Sequence, residues 1–227
     1  MPDMAKGRLV VFEGSVASGK MTQVKMLVDA LRERGIDAKV LDFPTYDSPA
    51  GEMVSRYLRG ELGPLNAIAP EIPSLLYALD RYQYRDDIVR DLKAGKFLVA
   101  NRYTQSNLAY QGAKFRSAPQ RKKFQKWIID MESGLPRADL VIYLRTPPSI
   151  SKKLIEGRPD KKYLKGKKKD LHESDDGYQL RVAEAYRELA RRETGWKTVE
   201  CASDGRMRSP EEIHGSVLGI LGKKKML

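Results

Sequence analysis

The sequence has little of the chemistry that builds disulfides, zinc sites or membrane spans. It contains one cysteine, Cys201, so an internal disulfide is excluded. The two histidines, His172 and His214, have no companions at metal-ligand spacing and are expected to be solvated or structural. There is no signal-peptide pattern and no apolar run of membrane-spanning length. We therefore expect a cytoplasmic location, with Cys201 as a small core residue at a strand end.

No linker or internal repeat divides the chain. A stretch rich in proline, glycine and serine, which would mark a boundary between domains, does not occur among the 227 residues. A chain of this length can bury one ample core. We therefore predict a single domain over residues 1–227.

The net charge of +12 is distributed unevenly. Residues 152–169 contain nine Lys or Arg and two acids, and three lysines follow at 223–225. A basic segment can close over polyphosphate, whereas duplex binding needs a wide basic face and a recognised reading motif. Nucleic-acid binding is therefore only a minor alternative. Because residues 157–176, here called the lid, are highly charged and punctuated by glycine, they are predicted to be a mobile flap that cannot pack in a core.

Short apolar runs alternate with amphipathic segments along the chain. The apolar runs predict strands at residues 9–12, 38–43, 97–100, 140–144 and 198–202. Helices are predicted at 74–94, at 103–133 with a break near 117–119, after 147, after 178, and at 210–221 behind an N-cap at Ser209. This alternation predicts an α/β fold with a five-stranded parallel sheet, helices on both faces, and ligands at the carboxyl ends of the strands.

A phosphate-binding loop follows the first predicted strand. Gly14 and Gly19 bracket four residues and precede Lys20, and an amphipathic helix comes next. Glycines let backbone N–H groups wrap a polyphosphate, and the helix adds its positive end. ATP or a related nucleotide is expected here. The predicted contacts in this loop are Gly14, Ser15, Val16, Ala17, Ser18, Gly19, Lys20, Met21 and Thr22.

The residue after the lysine is unusual. Met21 stands where the loop pattern has Ser or Thr, whose hydroxyl is a Mg²⁺ ligand, and a thioether cannot bind a hard cation. Thr22 has a hydroxyl but lies about 100° further around the helix, where it is expected to touch an inner phosphate. No residue of the chain is therefore assigned as a metal ligand.

Two further groups of residues suit a nucleotide acceptor. Tyr77 and Arg81 are spaced i, i+4 on a predicted helix, so a ring that stacks on a base and a guanidinium share one face. The alternative is a tyrosine stripe in the core with a surface arginine. Arg102 follows the third strand, where it can hold an acceptor phosphate, and Tyr110 and Gln111 supply a ring and an amide for a base.

Together these motifs resemble the thymidylate kinase family of nucleoside monophosphate kinases, particularly its microbial members with lysine-rich lids. The resemblance is nearly full length. It rests on Phe12-Glu-Gly14, Phe43-Pro44, Leu79-Asp-Arg-Tyr82, Asn101-Arg-Tyr103, Tyr110-Gln-Gly-Ala-Lys114 and Gly166-Lys-Lys-Lys-Asp-Leu-His-Glu173. It implies a P-loop kinase fold, transfer of the γ-phosphoryl group of ATP to dTMP, Mg²⁺ as cofactor, and a homodimer.

The resemblance also implies roles for individual residues. Lys20, Arg102 and Arg158 are the expected catalytic residues, and the lid is expected to bring in Arg158 with Lys161 or Lys162. Ala202 and Ser203 are expected to touch adenine. The expected acceptor site comprises Phe43, Pro44, Tyr77, Arg81, Arg102, Ser106, Asn107, Tyr110 and Gln111.

Several positions depart from the family pattern. Many relatives carry an acid at the place of Val16, which helps to hold the acceptor sugar, and a glycine near Ala17. Asn101, alternatively a structural cap, stands where a strand-end acid is frequent, and Thr45 and Tyr46 replace a basic residue. Three hypotheses remain: a dTMP kinase, a kinase for another pyrimidine monophosphate such as dUMP or UMP, and a nucleotide-binding relative whose catalysis the unusual loop impairs.

Overall fold

The computed structural model describes residues 7–157, 159 and 161–227. A five-stranded sheet lies at its centre in the order β2-β3-β1-β4-β5, and every neighbouring pair is parallel. The strands are β1 Arg8–Glu13, β2 Ala38–Asp42, β3 Phe97–Asn101, β4 Leu140–Arg145 and β5 Trp196–Glu200; an antiparallel hairpin joins β6 Ala202–Ser203 to β7 Arg206–Met207.

Helices cover both faces of the sheet, as predicted. α1 and α9 pack on one face, where their apolar side chains meet those of Val10 and Phe12, while α5 and α8 pack on the other against Leu9 and Val11. The helices are α1 Lys20–Glu33, α2 Pro49–Leu58, α3 Glu71–Tyr82, α4 Arg85–Lys93, α5 Thr104–Gly112, α6 Ala118–Met131, α7 Pro148–Glu156, α8 Asp176–Arg192 and α9 Pro210–Lys223. In the described residues, none is long and apolar enough to cross a membrane.

The strand register brings three connections to one edge of the sheet. Phe12 of β1 and Asp42 of β2 are both paired with Asn101 of β3. The phosphate loop after β1, the Phe43-Pro44 segment after β2 and Arg102 after β3 therefore begin side by side. This edge is the carboxyl end of the parallel sheet, where ligands bind in such folds.

Two predicted elements differ from the structure. The predicted helix 74–94 is divided into α3 and α4, because Tyr84 turns inward and its ring lies 6.1 Å from that of Phe43. The fifth strand ends at Glu200 rather than 202, and Ala202 and Ser203 lie in the hairpin, since the chain reverses and Arg208 N bonds back to Cys201 O. Cys201 itself is fully buried at the strand end, as predicted.

The prediction that the lid cannot pack in a core is wrong. Leu164, Asp170, His172 and Glu173 are buried, and the backbone N of Leu171 donates to Leu58 O at 2.8 Å. The charges did not prevent packing because they are paired within the protein.

The lid has an internal ion pair and packs against the start and end of α2. In the ion pair, Lys161 Nζ lies 2.8 Å from Glu173 Oε1. Arg59, at the end of α2, donates from Nη1 to Tyr163 O at 2.9 Å, and the Tyr163 ring stacks on Tyr46 with centroids 3.9 Å apart. The described part of the lid, residues 157, 159 and 161–176, therefore packs on α2.

The cap of α9 provides a test of the local structure. Ser209 Oγ accepts from Glu212 N at 3.2 Å, and the Glu212 carboxylate accepts from Ser209 N at 2.8 Å. We expect Ser209→Ala to lower the free energy of unfolding by about 1 kcal/mol, measured by urea denaturation. Ser117, at the N-cap of α6, makes no side-chain cap bond, so Ser117→Ala is the matched control and should change stability by less than about 0.5 kcal/mol. Equal losses in both variants would contradict the capping role.

Candidate active site

A cleft of about 780 Å³ opens at the carboxyl edge of the sheet. Most of the residues predicted from the sequence line it together. They are Val16, Ala17, Ser18, Gly19, Lys20, Met21, Thr22, Phe43, Pro44, Tyr77, Arg102, Ser106, Asn107, Tyr110 and Gln111, joined by Lys161 and Lys162 of the lid.

The loop between β1 and α1 depends on backbone conformations that favour glycine. Gly14 has φ of 152°, and a Cβ there would lie 2.7 Å from Leu144 O and 2.8 Å from Ser18 Oγ, so no side chain fits. Gly19 has φ of 78° at the start of α1. Ala17 also adopts a left-handed conformation, with φ of 56°, which costs a residue with a side chain about 1 kcal/mol. The loop therefore keeps its shape with alanine where glycine would be unstrained.

Lys20 is buried inside this loop. Its Nζ donates to Gly14 O at 3.2 Å, to Ser15 O at 2.7 Å and to Ser18 Oγ at 3.2 Å. Burial lowers the pKa of Lys20 well below its ordinary value, and the positive charge of Arg102 lowers it further. An anionic ligand would stabilise this ammonium group, so the loop suits a polyphosphate.

Sequence reasoning assigned no role to Glu13, which the structure places beneath the loop. This residue is fully buried, and Oε1 accepts from the backbone N of Tyr103 at 2.9 Å and of Ser106 at 3.0 Å. Oε2 accepts from Ser106 Oγ at 2.6 Å and from the Tyr186 hydroxyl at 2.7 Å. Glu13 thus joins β1 to the β3–α5 turn and to α8. The signal in the sequence is an acid that directly follows an apolar strand.

Arg102 projects from that turn towards the phosphate loop. It has a left-handed backbone, with φ of 65°, and its N donates to Phe12 O at 3.0 Å. The guanidinium lies 3.4 Å from Gly14 O and 3.2 Å from Ser106 Oγ, and it sits over the Tyr110 ring at 5.1 Å. Lys20 and Arg102, which both line the cleft, therefore contact the same carbonyl, that of Gly14, so two cations meet beside the cleft.

The far end of the cleft carries amide groups that lack partners. Asn107 Nδ2 donates to Ser74 O at 3.1 Å, but Asn107 Oδ1 and both amide atoms of Gln111 are buried without a hydrogen-bond partner in the described chain. The Tyr77 ring lies on the same wall. Buried amides of this kind require partners, so this end suits the polar edge of a base.

Arg81 occupies a different position from Tyr77. The Arg81 and Glu132 side chains are each 2% exposed and form an ion pair behind the cleft, with Arg81 Nε 2.9 Å from Oε1. Arg81 does not line the cleft in this structure, although it shares α3 with Tyr77. A contact of Arg81 with a nucleotide therefore stays a prediction.

Other predicted residues also lie outside the cleft lining. Gly14 is beneath the loop, and Ser15 lines a smaller cavity beside α7 and α8. Ala202 and Ser203 lie in the β6–β7 hairpin. Arg158 lies outside the described residues. Their assignment to the ATP site or to catalysis stays a prediction.

The loop leaves few groups for a metal ion. Met21 is half-buried against the α1 side of the core and offers no oxygen to the cleft. Within the described chain, no group of three or more His, Cys, Asp or Glu could hold a metal. Carboxylate and amide oxygens line the cleft on β2 and β3, where Asn101 Nδ2 donates to Asp42 Oδ1 at 2.7 Å and Asn101 Oδ1 is buried without a partner in the described chain.

The lid contains His172, which the sequence analysis did not place in the site. The residue is 4% exposed and lines the cleft, so it is not solvated. Its burial lowers its pKa to about 3, and the charges of Lys114 and Arg102 act in the same direction, while Glu173 opposes them. His172 is therefore a neutral imidazole at physiological pH.

This imidazole gives a pH-dependent contribution to stability. Between pH of about 3 and 6.5 the unfolded histidine binds a proton that the folded one does not, so lowering the pH destabilises the fold. The contribution has a slope of about 1.4 kcal/mol per pH unit below pH about 6. We expect urea denaturation at several pH values to show a shallower dependence for His172→Phe than for the wild type. Identical slopes would show that His172 titrates normally.

Comparisons with known proteins point to one family. The model of the family described as thymidylate kinase matches residues 12–213. The chain is 28% identical over 224 residues to a thymidylate kinase of Plasmodium falciparum (isolate 3D7), covering 99% of this chain and 94% of that protein. It is 30% identical over 217 residues to a probable thymidylate kinase of Thermococcus onnurineus (strain NA1), covering 93% and 96%.

A solved structure shares the fold. The thymidylate kinase from Candida albicans matches with a TM-score of 0.76 at 20% sequence identity, over 97% of this chain and 93% of that one. The five-stranded parallel sheet with helices around it, predicted from the sequence, is therefore confirmed.

Proposed function

The chain belongs to the thymidylate kinase family of ATP-dependent nucleoside monophosphate kinases, and from this premise we propose how its cleft transfers the γ-phosphoryl group of ATP to dTMP. The observation that carries the proposal is the meeting of Lys20 and Arg102 at the carbonyl of Gly14. One cation belongs to the phosphate loop and the other to the acceptor side. The family match over residues 12–213 supports our proposal that the chain acts as one kinase domain.

Phosphoryl transfer needs donor and acceptor in line and neutralisation of the charge that spreads over the transferred group. Lys20 binds the outer phosphates of ATP, held by the loop from Gly14 to Thr22. Arg102 orients the phosphate of dTMP towards them, and its guanidinium is fixed by Ser106 and Tyr110. The two groups that must react are thus brought together by two rigid strand ends.

The base of dTMP occupies the far end of the cleft. Tyr77 stacks on the ring, and the unpartnered amides of Asn107 and Gln111 bind its polar edge. Phe43 and Pro44 also line the cleft. This arrangement recognises a pyrimidine by one stacked ring and by hydrogen bonds to its polar edge.

The lid closes the cleft and excludes water, which would otherwise hydrolyse ATP. The stacked rings of Tyr46 and Tyr163 form its contact with the β2–α2 segment. Lys161 places a third cation on the cleft lining, held by Glu173. Arg158 is proposed to join it, on the basis of the family resemblance alone, as is the contact of Ala202 and Ser203 with adenine.

Mg²⁺ is proposed as the cofactor, and the residues present fit a metal held mostly by phosphates and water. Asp42 and the unpartnered Oδ1 of Asn101 are hard oxygen donors of the kind that Mg²⁺ prefers, whereas Met21 cannot contribute. When bound, Mg²⁺ would neutralise phosphate charge.

The cytoplasm is the proposed location.

An ADP-release assay with a panel of monophosphates tests the reaction. We expect release to need both Mg²⁺ and an acceptor, with dTMP preferred over dUMP, UMP, dCMP and dAMP. Arg102→Gln should lower kcat/KM for dTMP about 100-fold or more, because a charge-assisted contact to the acceptor phosphate is lost. Arg116→Gln, an exposed change in the α5–α6 connection, is the matched control and should leave the rate unchanged.

Two outcomes would contradict this function. Preference for another monophosphate would favour the alternative acceptor. No release with any acceptor, from protein that binds ATP and unfolds cooperatively, would favour the relative with impaired catalysis, and recovery of activity in Met21→Thr would assign the defect to the loop.

A homodimer is also proposed, through the outer face of α3. Ile72, Leu75 and Leu79 are spaced i, i+3, i+7 on this helix and are 46%, 48% and 56% exposed. A large apolar stripe of this kind marks an interaction surface, and a two-fold axis would let the same stripe on a second copy cover it. The stripe lies on the helix that carries Tyr77, so dimerisation would support the acceptor site.

Light scattering after size exclusion measures this association. We expect a dimer for the wild type and a monomer for Leu75→Glu combined with Leu79→Glu, because two charges cannot be buried against a second copy. Leu180→Glu, a change at another exposed leucine on α8, is the matched control and should stay dimeric. A monomeric wild type would rule out the proposed interface.

A further inference from the structure

His172 lies between the two ends of the proposed acceptor site. Its ring stacks on Tyr110 with centroids 5.2 Å apart, and the Tyr110 hydroxyl bonds to Arg102, which marks the phosphate end. On the other side, His172 contacts Tyr57, whose ring is 6.3 Å from Tyr77 at the base end. The part of a nucleotide between its phosphate and its base is the sugar. His172 therefore faces the position of the acceptor sugar.

The contacts of the ring leave one of its nitrogens for a ligand. The Tyr57 hydroxyl lies 2.8 Å from His172 Nε2 and makes no other hydrogen bond to the described chain. Burial raises the pKa of Tyr57, so the hydroxyl keeps its proton and can either donate to Nε2 or accept from it. Since His172 is neutral, Nδ1 is a donor in the first case and an acceptor in the second. Nδ1 has no hydrogen-bond partner in the described chain, so this nitrogen is left for a ligand.

The Val16 side chain of the phosphate loop cannot supply this contact. Val16 lines the cleft where many relatives carry an acid that helps to hold the acceptor sugar, and its side chain neither donates nor accepts a hydrogen bond. The deoxyribose of dTMP carries one hydroxyl, at its 3′ carbon. We propose that His172 binds the acceptor sugar through a hydrogen bond between Nδ1 and the 3′-hydroxyl, a group that can both donate and accept; this rests on the proposed function.

The contact makes the lid part of acceptor recognition. Asp170 Oδ1 accepts from the backbone N of His172 at 2.9 Å, and Gln179 Nε2 on α8 donates to His172 O at 2.9 Å. The imidazole is thus held from its backbone as well as by Tyr57. A change in this segment of the lid should alter the affinity for dTMP through the sugar, without touching the phosphate loop.

Isothermal titration calorimetry with dTMP and with its 3′-deoxy analogue tests the contact. The wild type should bind dTMP about 5-fold more tightly than the analogue, as one neutral hydrogen bond predicts. His172→Phe keeps a ring that can stack on Tyr110 but loses the Nδ1 atom, so it should bind both nucleotides with nearly equal affinity. Unchanged ATP affinity in the variant shows that the fold and the phosphate loop are intact.

A measurement on the wild type covers the case in which the variant does not fold. Because His214 is the only other histidine, ¹⁵N spectra of the wild type and of His214→Gln identify the His172 ring signals. We expect an Nδ1 chemical shift of His172 that moves on addition of dTMP and moves less with the 3′-deoxy analogue.

The outcomes separate this contact from the proposed function. If dTMP binds and is phosphorylated, but the wild type binds the 3′-deoxy analogue equally well, the contact with the 3′-hydroxyl is disproved. A preference for dTMP that survives in His172→Phe disproves the role of His172. If the wild type binds neither nucleotide, dTMP is not the acceptor and the sugar contact fails with it.

Discussion

The buried carboxylate of Glu13 is the interaction on which the rest of the cleft depends. Its two oxygens accept four hydrogen bonds, from the backbone of Tyr103, from both the backbone and the side chain of Ser106, and from Tyr186. A carboxylate out of water is stable only when its oxygens are satisfied, so the β3–α5 turn and α8 must take up fixed positions around it. The left-handed backbone of Arg102 is held by the same turn, which directs its guanidinium at the phosphate loop.

Charge explains the neighbouring features of the site. Lys20 is buried in the phosphate loop next to Arg102 of the β3–α5 turn, and the pKa of Lys20 is lowered by burial and by that second cation. Such an arrangement is unfavourable for the protein alone and favourable once a polyphosphate is bound, because the anion replaces the lost hydration. In the lid, by contrast, the buried Glu173 is paired with Lys161, so this segment packs beside the cleft without leaving that charge unpaired.

The fold was largely predictable, because buried parallel strands give continuous apolar runs and their helices give a regular period. The errors occurred where tertiary contacts decide. α3 and α4 separate at Tyr84, whose ring packs against Phe43. β5 ends where the chain turns back to Cys201. The lid prediction failed because composition counts charges but does not show which of them are paired. His172 was missed for a related reason, since its neighbours Tyr57 and Tyr110 are distant in sequence.

The sequence by itself determined the phosphate loop, the position of its motifs at strand ends and the family, because glycine, lysine and apolar periodicity act over short distances. It also identified Met21 and Val16 as the places where this chain lacks a usual contact. Only the tertiary structure decided that Arg81 pairs with Glu132 behind the cleft, that Glu13 organises the turn, and that the lid places an imidazole in the same cleft lining as Val16. These results depend on which distant side chains share a buried space, and buried polar groups must find partners wherever the fold places them.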